Sequence, residues 1–595
     1  MHKQASSRTM NPPPSRLAGT RISTFFAALL LSLVAACAHP PEQELPPPAP
    51  TETLESPAES RDQQAPGRPV APIVARQEAG RRRAEHHAQS AQKLQAAQSS
   101  ADQRRAFHPG ILPPAPPPQH YNREGYQLIT ENRFHDPQLS PLSTFGLDVD
   151  TAAYSNLRRF INQGRLPPAD AVRIEELVNY FDYDHAAPTG EHPVSVSTEL
   201  GRAPWNPDHY LAMVGVRAQA VAAAVQPAKR LVFLIDTSGS MNQADKLPLL
   251  RRSFAALVEQ LGPDDRVAIV TYAGSAGVAL ASTAGRNKEA IYRALNELRA
   301  GGSTAGAQGI ELAYQIARQQ FDEHGNNRVI LATDGDFNVG PSSDGELVRM
   351  IQARRDQGIF LTVLGFGQGN LQDGKMHQIA DHGNGNYYYI DTDLEARRVL
   401  SDKLSGTLLT VAKDVKLQVE FNPATVTSYR LIGYESRQLA AEDFVDDRKD
   451  AGELGAGHTV TALYEIVPVQ GASRSAVELR YQAGRSYSTP DADGELMQVK
   501  TRYKMPDQSR SLALPAQQIS IRALAAAPSA DWQWASTVAE FGMLLRASEH
   551  RGQASYSRVL SRAERLAVTA QDDLAREFVG LVRQAKVLAQ ARLSG

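Results

Sequence analysis

The run LVFLIDTSGSM, Leu231 to Met241, decides the fold. Leu231 to Ile235 are continuously apolar, the pattern of a parallel strand buried on both faces. The run stops at Asp236 and passes into a Ser/Gly turn. Asp236, Ser238 and Ser240 therefore fall just beyond the carboxyl end of that strand. A second apolar run, Val329 to Leu331, leads through Ala332 and Thr333 to Asp334 in RVILATDGDFNVG. In open doubly wound sheets, ligands bind in the crevice at the carboxyl ends of the strands. Thr304, in GGSTAG, follows the flexible pair Gly301-Gly302 and opens a helical pattern that runs to Phe321. It suits a helix N-cap, with its hydroxyl toward the same crevice.

Two carboxylates and three hydroxyls from three separate segments make a hard oxygen donor set. Mg²⁺ favours octahedral oxygen coordination and keeps several waters. Ser238, Ser240 and Thr304 are placed to bind it directly; Asp236 and Asp334 are placed to hold its waters or to join it. One open position would accept an Asp or Glu from outside. A D-x-S-x-S triplet alone reads equally well as a turn with good capping residues. Thr304 and Asp334, each at a matching boundary, tip the reading toward a metal.

Around these segments the alternation is regular. Helical spacing at Lys246 to Leu261, Lys288 to Leu298, Thr304 to Phe321 and Glu346 to Gln357 interleaves with apolar runs at Val267 to Tyr272, Val329 to Leu331 and Phe360 to Phe366. This predicts an α/β domain with a parallel central sheet and helices on both faces. Asn386 to Ile390 adds a last strand, and Leu394 to Val411 reads as a closing helix. The loops expected to ring the metal are Ala273 to Arg286, Phe337 to Asp344 and Gln368 to Lys375.

The stretch from Lys229 to Asp414 resembles a von Willebrand factor type A domain, and all five residues match that family's metal-ion-dependent adhesion site. The resemblance implies a Rossmann-like fold, Mg²⁺ (or Mn²⁺) and protein ligands that complete the metal shell. The wider chain, residues 120 to 595, resembles bacterial lipoproteins that carry this domain between two family-specific flanks. YQLITENRFHDPQLSPLSTFGLDVDTAAYSNLRRFIN carries that likeness before the domain, and YRLIGYESRQL with DAGELGAGHTVTALYE after it.

At 595 residues the chain is too long for one core. We expect a signal peptide (1–36), a Pro/Ala/Gln-rich linker (37–118), an N-terminal flank of helices then strands (119–228), the A-type domain (229–413), a β-sandwich-like part (414–508) and a helical C-terminal region (509–595). Lys3, Arg8, Arg16 and Arg21 precede an apolar run, Ile22 to Ala36, that is short for a membrane span and suits a signal-peptide core. It ends at Cys37, the only cysteine, where small residues before it resemble a lipobox. Acyl chains on Cys37 would anchor the protein. Ala38 after the cysteine favours the outer membrane by resemblance to enterobacterial sorting rules.

Within the flanks, Thr151 to Gln163 and Ile174 to Phe181 have helical spacing and suggest a small helical unit. Val194 to Leu200, Tyr210 to Arg217, Lys416 to Phe421, Val426 to Ile432, Thr459 to Pro468, Ala476 to Tyr481 and Leu496 to Tyr503 read as strands. Strand order suggests one sandwich built from both sets, with the A-type domain inserted between them. Asp148 and Asp150 read as capping and turn residues, and His377 and His382 as solvated. The acidic stretch Asp443 to Glu453 lacks EF-hand spacing and reads as a charged loop. Trp532, Trp534, Phe541 and Phe578 read as helical core.

The net charge of -2, with mixed signs, offers no stripe for nucleic acid. No H-E-x-x-H, G-x-S-x-G or Walker A motif is present. The expectation is a non-enzymatic, envelope-tethered module that binds a protein through a metal. The alternatives are an envelope scaffold with a fold-stabilising metal, or a metal-dependent hydrolase.

Overall fold

The computed structural model describes residues 123–594, apart from 222–226, 304–305, 336, 338–343, 404–405, 407–408, 450, 470–493 and 571. The strand expected at Ala476 to Tyr481 lies outside the described residues, as do Thr304 and Cys37. Among the described residues no helix is long and apolar enough to cross a membrane.

Among the described residues the first elements are β1 (Leu142–Gly146), α1 (Ala152–Asn162), α2 (Ile174–Val178), β2 (Val194–Arg202) and β3 (Tyr210–Ala218). An α/β domain follows: β4 (Lys229–Asp236), α3 (Leu247–Glu259), β5 (Arg266–Tyr272), β6 (Ala276–Ala284), α4 (Lys288–Glu297), α5 (Gly306–Gln319), β7 (Asn326–Thr333), α6 (Asp344–Arg355), β8 (Phe360–Phe366), α7 (Asp373–His382), β9 (Tyr387–Ile390) and α8 (Asp393–Arg397). Its six-stranded sheet has the order β6-β5-β4-β7-β8-β9. All neighbours are parallel except β6 on β5. The apolar run of β4 is continuous because it feeds two cores. Leu231, Phe233 and Ile235 pack on one face of the sheet, and Val232 and Leu234 on the other. All five are fully buried. Burying each such side chain contributes roughly 1.5–3 kcal/mol.

Three readings of this domain change. Ala273 to Arg286, expected as a loop beside the metal, is mostly the antiparallel edge strand β6. Its sequence, AGVALASTA, hides it because small residues dominate and Val278 is half exposed. Gln368 to Lys375 runs into α7. The closing helix is short: a π-type turn, Arg398–Lys403, follows α8, and Thr410 already begins a strand.

The rest of the chain is β10 (Thr410–Phe421), β11 (Val426–Ile432), β12 (Thr459–Pro468), β13 (Glu495–Lys504), α9 (Ala530–Arg546), α10 (Tyr556–Ala570) and α11 (Asp573–Ser594), with shorter elements between. One sandwich sheet has β1, β10 and β13 as neighbours, and the other runs β11-β12-β3-β2. β3 pairs antiparallel with β12, from Thr459 opposite Arg217 to Ile466 opposite Tyr210. β1 pairs with β10. The sandwich is thus assembled from strands on both sides of the inserted domain, around residues such as Phe145, Val214, Phe421 and Tyr464.

The helices of the two ends also close on each other. Tyr154 and Phe181 share a core with Trp534, Phe541 and Phe578, and Phe181 meets Trp534 edge-on at 5.3 Å between ring centres. The first helices are therefore not the separate small unit expected of them. Their apolar faces are covered by a segment about 350 residues later, which no local pattern reveals.

Candidate metal site at the carboxyl edge of the sheet

β4 and β7 are adjacent and parallel, so their carboxyl ends deliver Asp236 and Asp334 to one place. Both carboxylates are fully buried, and Ser238 is nearly so. The Asp236 Oδ1 accepts from the Ser238 amide at 2.8 Å, which folds the turn back on itself. That turn brings the Ser238 and Ser240 hydroxyls within 3.0 Å of each other. Thr333 donates to Asp236 Oδ2 at 3.4 Å.

The loop before Thr304 is pinned to the same turn. Gly301 N–H donates to the Thr237 carbonyl at 2.8 Å, and Gly239 N–H to the Gly302 carbonyl at 3.1 Å. Gly302 has a φ of +88°, a backbone region that glycine enters without strain. Gly335, directly after Asp334, has a φ of +102°. A Cβ there would meet Leu371 Cα at 2.6 Å. Glycine thus lets the Asp334 turn press against the loop that carries Asn370. Of the five residues singled out in the sequence, four are placed at one edge of the sheet, and Thr304 lies outside the described residues.

Sequence reasoning missed Lys246. Its ammonium is 2.9 Å from Asp334 Oδ2, and the pair is almost wholly buried. The Lys246 stem crosses Gly367 so closely that a Cβ there would collide with it. Asn370 Nδ2 also donates to Asp334 Oδ2, at 3.3 Å. In the sequence Lys246 opens a helical pattern, and nothing local marks it as buried.

The charge balance tests whether these residues fit a cation. Lys246 stands against Asp334, whereas the donors on Asp236 are an amide and a hydroxyl. Burial pushes the Asp236 carboxyl up to about 6; the Ser238 contacts pull it back in part, and Asp334 adds to the rise. Among the described residues no ammonium or guanidinium pairs with Asp236, and buried charge is costly unless compensated. Carboxylate and hydroxyl oxygens are hard donors of the kind that hold Mg²⁺ or Mn²⁺. The residues present fit such an ion.

Two other readings are corrected here. Asp150 is not a cap: the N-cap of α1 is Thr151, which makes no side-chain cap bond. The Ala153 amide of that helix is bound instead by Glu176 Oε2 at 2.8 Å. His377 is not solvated but buried, 3.3 Å from Asp150. The acidic stretch does behave as a charged loop, where the carbonyls of Asp443 and Asp446 accept from Lys416.

Comparison with known proteins agrees with this architecture. Residues 231–403 match the family model "von Willebrand factor type A domain", residues 120–213 match "von Willebrand factor", and residues 406–588 match "Uncharacterized protein YfbK, C-terminal". The chain is 43% identical over 467 residues to "Uncharacterized protein YfbK" of Escherichia coli strain K12, covering 77% of this chain and 80% of the relative. It is 28% identical over 185 residues to "Uncharacterized protein sll0103" of Synechocystis, covering 31% and 43% of the two chains. Among solved structures, "von Willebrand factor type A from Catenulispora acidiphila" aligns at 17% identity and a TM-score of 0.40, over 68% of this chain and 91% of that one. With an A-type domain set between the flanks that this E. coli relative shares along most of its length, the chain belongs to the YfbK family of von Willebrand factor type A domain proteins.

Proposed function

We propose that this protein is a lipid-anchored cell-envelope module that binds a protein partner through a Mg²⁺ (or Mn²⁺) ion held at the carboxyl edge of the A-type domain. The observation that carries the proposal is the pair of fully buried carboxylates, Asp236 and Asp334, facing two hydroxyls with one lysine among them. The ion would be held by Ser238, Ser240 and Thr304, with Asp236 and Asp334 bonded to its waters or drawn into its shell. Hydroxyl ligands leave the metal electrophilic, which suits an Asp or Glu presented by the partner. Gly239, Asn242 and Gln243 of the turn are exposed and give that partner a rim to approach. We infer binding without turnover, because metal hydrolases place a base near the metal and the sequence offers no motif for one. Acylation at Cys37 would fix the module to the membrane, the outer one on the resemblance of its sorting residue, and the linker would separate the two.

The test is capture from envelope extract by the full chain in Mg²⁺, in EDTA, and as Asp236→Ala in Mg²⁺. A protein retained by the first alone supports the proposal. Equal retention in all three contradicts it and favours a scaffold whose metal serves only stability.

A further inference from the structure

A second group of ligand-type side chains meets where the flanks contact the inserted domain. Asp150 lies between β1 and α1, Glu176 on α2 and His377 on α7. All three are buried, and one ligand atom from each lies within 4.8 Å of the others. His377 Nε2 is 3.3 Å from Asp150 Oδ2 and 4.0 Å from Glu176 Oε1. Ligands about 2.1 Å from a tetrahedral ion stand about 3.4 Å apart, so the spacing matches a site that closes with small side-chain shifts.

The other oxygen of each carboxylate is already committed, which aims the remaining one inward. Asp150 Oδ1 accepts from the Tyr387 amide at 2.8 Å, and Glu176 Oε2 from the Ala153 amide at 2.8 Å. His377 Nδ1 faces Asp381 Oδ2 at 3.7 Å, while Arg437 points a donor at Nε2 from 3.3 Å. That arrangement puts the proton on Nδ1 and the lone pair of Nε2 toward the cluster. A carboxylate behind a histidine is the usual orienting arrangement in metal sites. Asp150 Oδ2 receives no hydrogen bond although the residue is almost fully buried, and Glu176 Oε1 has only the Arg173 guanidinium, at 3.0 Å. Buried polar atoms are nearly always satisfied, so the Asp150 orphan, aimed at an imidazole nitrogen 3.3 Å away, points to a missing ligand.

The local charge agrees. Asp148, Asp150, Glu176 and Asp381 share two guanidinium groups, Arg437 and Arg173. Arg173 is 3.0 Å from Glu176 Oε1 and also pairs with Asp373. Arg437 is anchored through NH1 on Asp148 at 3.1 Å and Asp381 at 2.5 Å. Only its NH2 reaches Asp150 Oδ2, at 3.7 Å, so an ion displaces one nitrogen and leaves that anchor in place. A cavity of about 420 Å³, lined by Asp148, Asp381 and Arg437, lies next to the cluster on the far side of the Arg437 guanidinium.

We propose that Asp150, Glu176 and His377 form a second cation site, selective for a first-row transition ion of the Zn²⁺ class, that fastens the flanks to the A-type domain. Imidazole with two carboxylates selects such an ion over Mg²⁺. The site is independent of the Mg²⁺ reading above and the two fail separately.

The test uses the EDTA-stripped full chain carrying Asp236→Ala, which leaves this cluster intact, with Zn²⁺ and Co²⁺ as probes. One retained equivalent of Zn²⁺ per chain after gel filtration is expected. The Co²⁺ form should show visible d–d absorption. Adding Asp150→Asn or His377→Gln should weaken Zn²⁺ at least tenfold and remove the Co²⁺ spectrum. If those variants do not fold, Arg437→Met decides instead, since removing the competing cation should tighten Zn²⁺ binding. Less than a tenth of an equivalent in the Asp236→Ala chain overturns the proposal. Retention indifferent to the cluster variants does the same, and Arg437 is then the cluster's own counter-ion.

Discussion

Asp236 is fully buried and held by an amide and a hydroxyl. Its charge is a liability without a cation and an asset with one. In EDTA, Asp236→Asn should therefore leave the melting temperature equal to or above that of the wild type. In Mg²⁺ the wild type should gain several degrees and the variant none; a calorimetric scan in both conditions checks this. His458 offers an independent residue-scale prediction. Burial, with the nearby Lys403 ammonium, lowers its pKa to about 4, so the folded state resists the proton that the unfolded chain accepts near 6.5. Its contribution to stability is full above pH 6.5 and is lost as pH falls from there to about 4. The loss is about 3 kcal/mol. His458→Gln should flatten that part of a denaturation profile. At this scale Asp236, Ser238, Ser240 and Asp334 were legible, because each stands where an apolar run breaks at a strand end. Lys246, Asp150 and His377 were not. Each is buried by partners distant in the chain, and a charged side chain in a helical pattern reads by default as solvated.

Among elements, α1 is the tie between flank and inserted domain. Arg158 on α1 reaches Asp391 at 2.5 Å, Glu395 at 2.8 Å and Glu577 of α11 at 3.0 Å, with Arg158, Asp391 and Glu395 all buried. Tyr180 donates to the same Glu395 carboxylate at 2.5 Å. Removing one partner of a buried pair leaves the others uncompensated, at about 3–5 kcal/mol. Arg158→Met should lower unfolding free energy by that much in urea titrations, while Lys500→Met, which leaves the exposed Glu420 without its pair, should cost under about 1 kcal/mol. Helix positions in the inserted domain follow the apolar spacing closely, because α3, α4 and α5 each bury one face. β6 escaped notice for the opposite reason: its side chains are mostly small and none is fully buried, so it carries no alternation to read.

Over the whole molecule, the A-type domain is inserted between halves of a sandwich, and the helices at both ends share one core. The insertion was legible from strand order and is realised in the pairing of β3 with β12. The shared helical core was not, since its contacts join residues such as Phe181 and Phe578. A chain ending before α9 should expose Ile174 and Leu177, which pack against Gly542. Limited proteolysis should then cut α1 and α2 while sparing β4 to β8. The central claim, however, is the cation held by Asp236, Ser238, Ser240 and Asp334. A Mg²⁺ titration of the EDTA-stripped full chain, followed by calorimetry, tests it most directly. The account predicts saturable binding of one ion, abolished by Asp236→Ala and unaffected by His377→Gln. Binding that survives Asp236→Ala, or no binding to a folded wild-type chain, would contradict it.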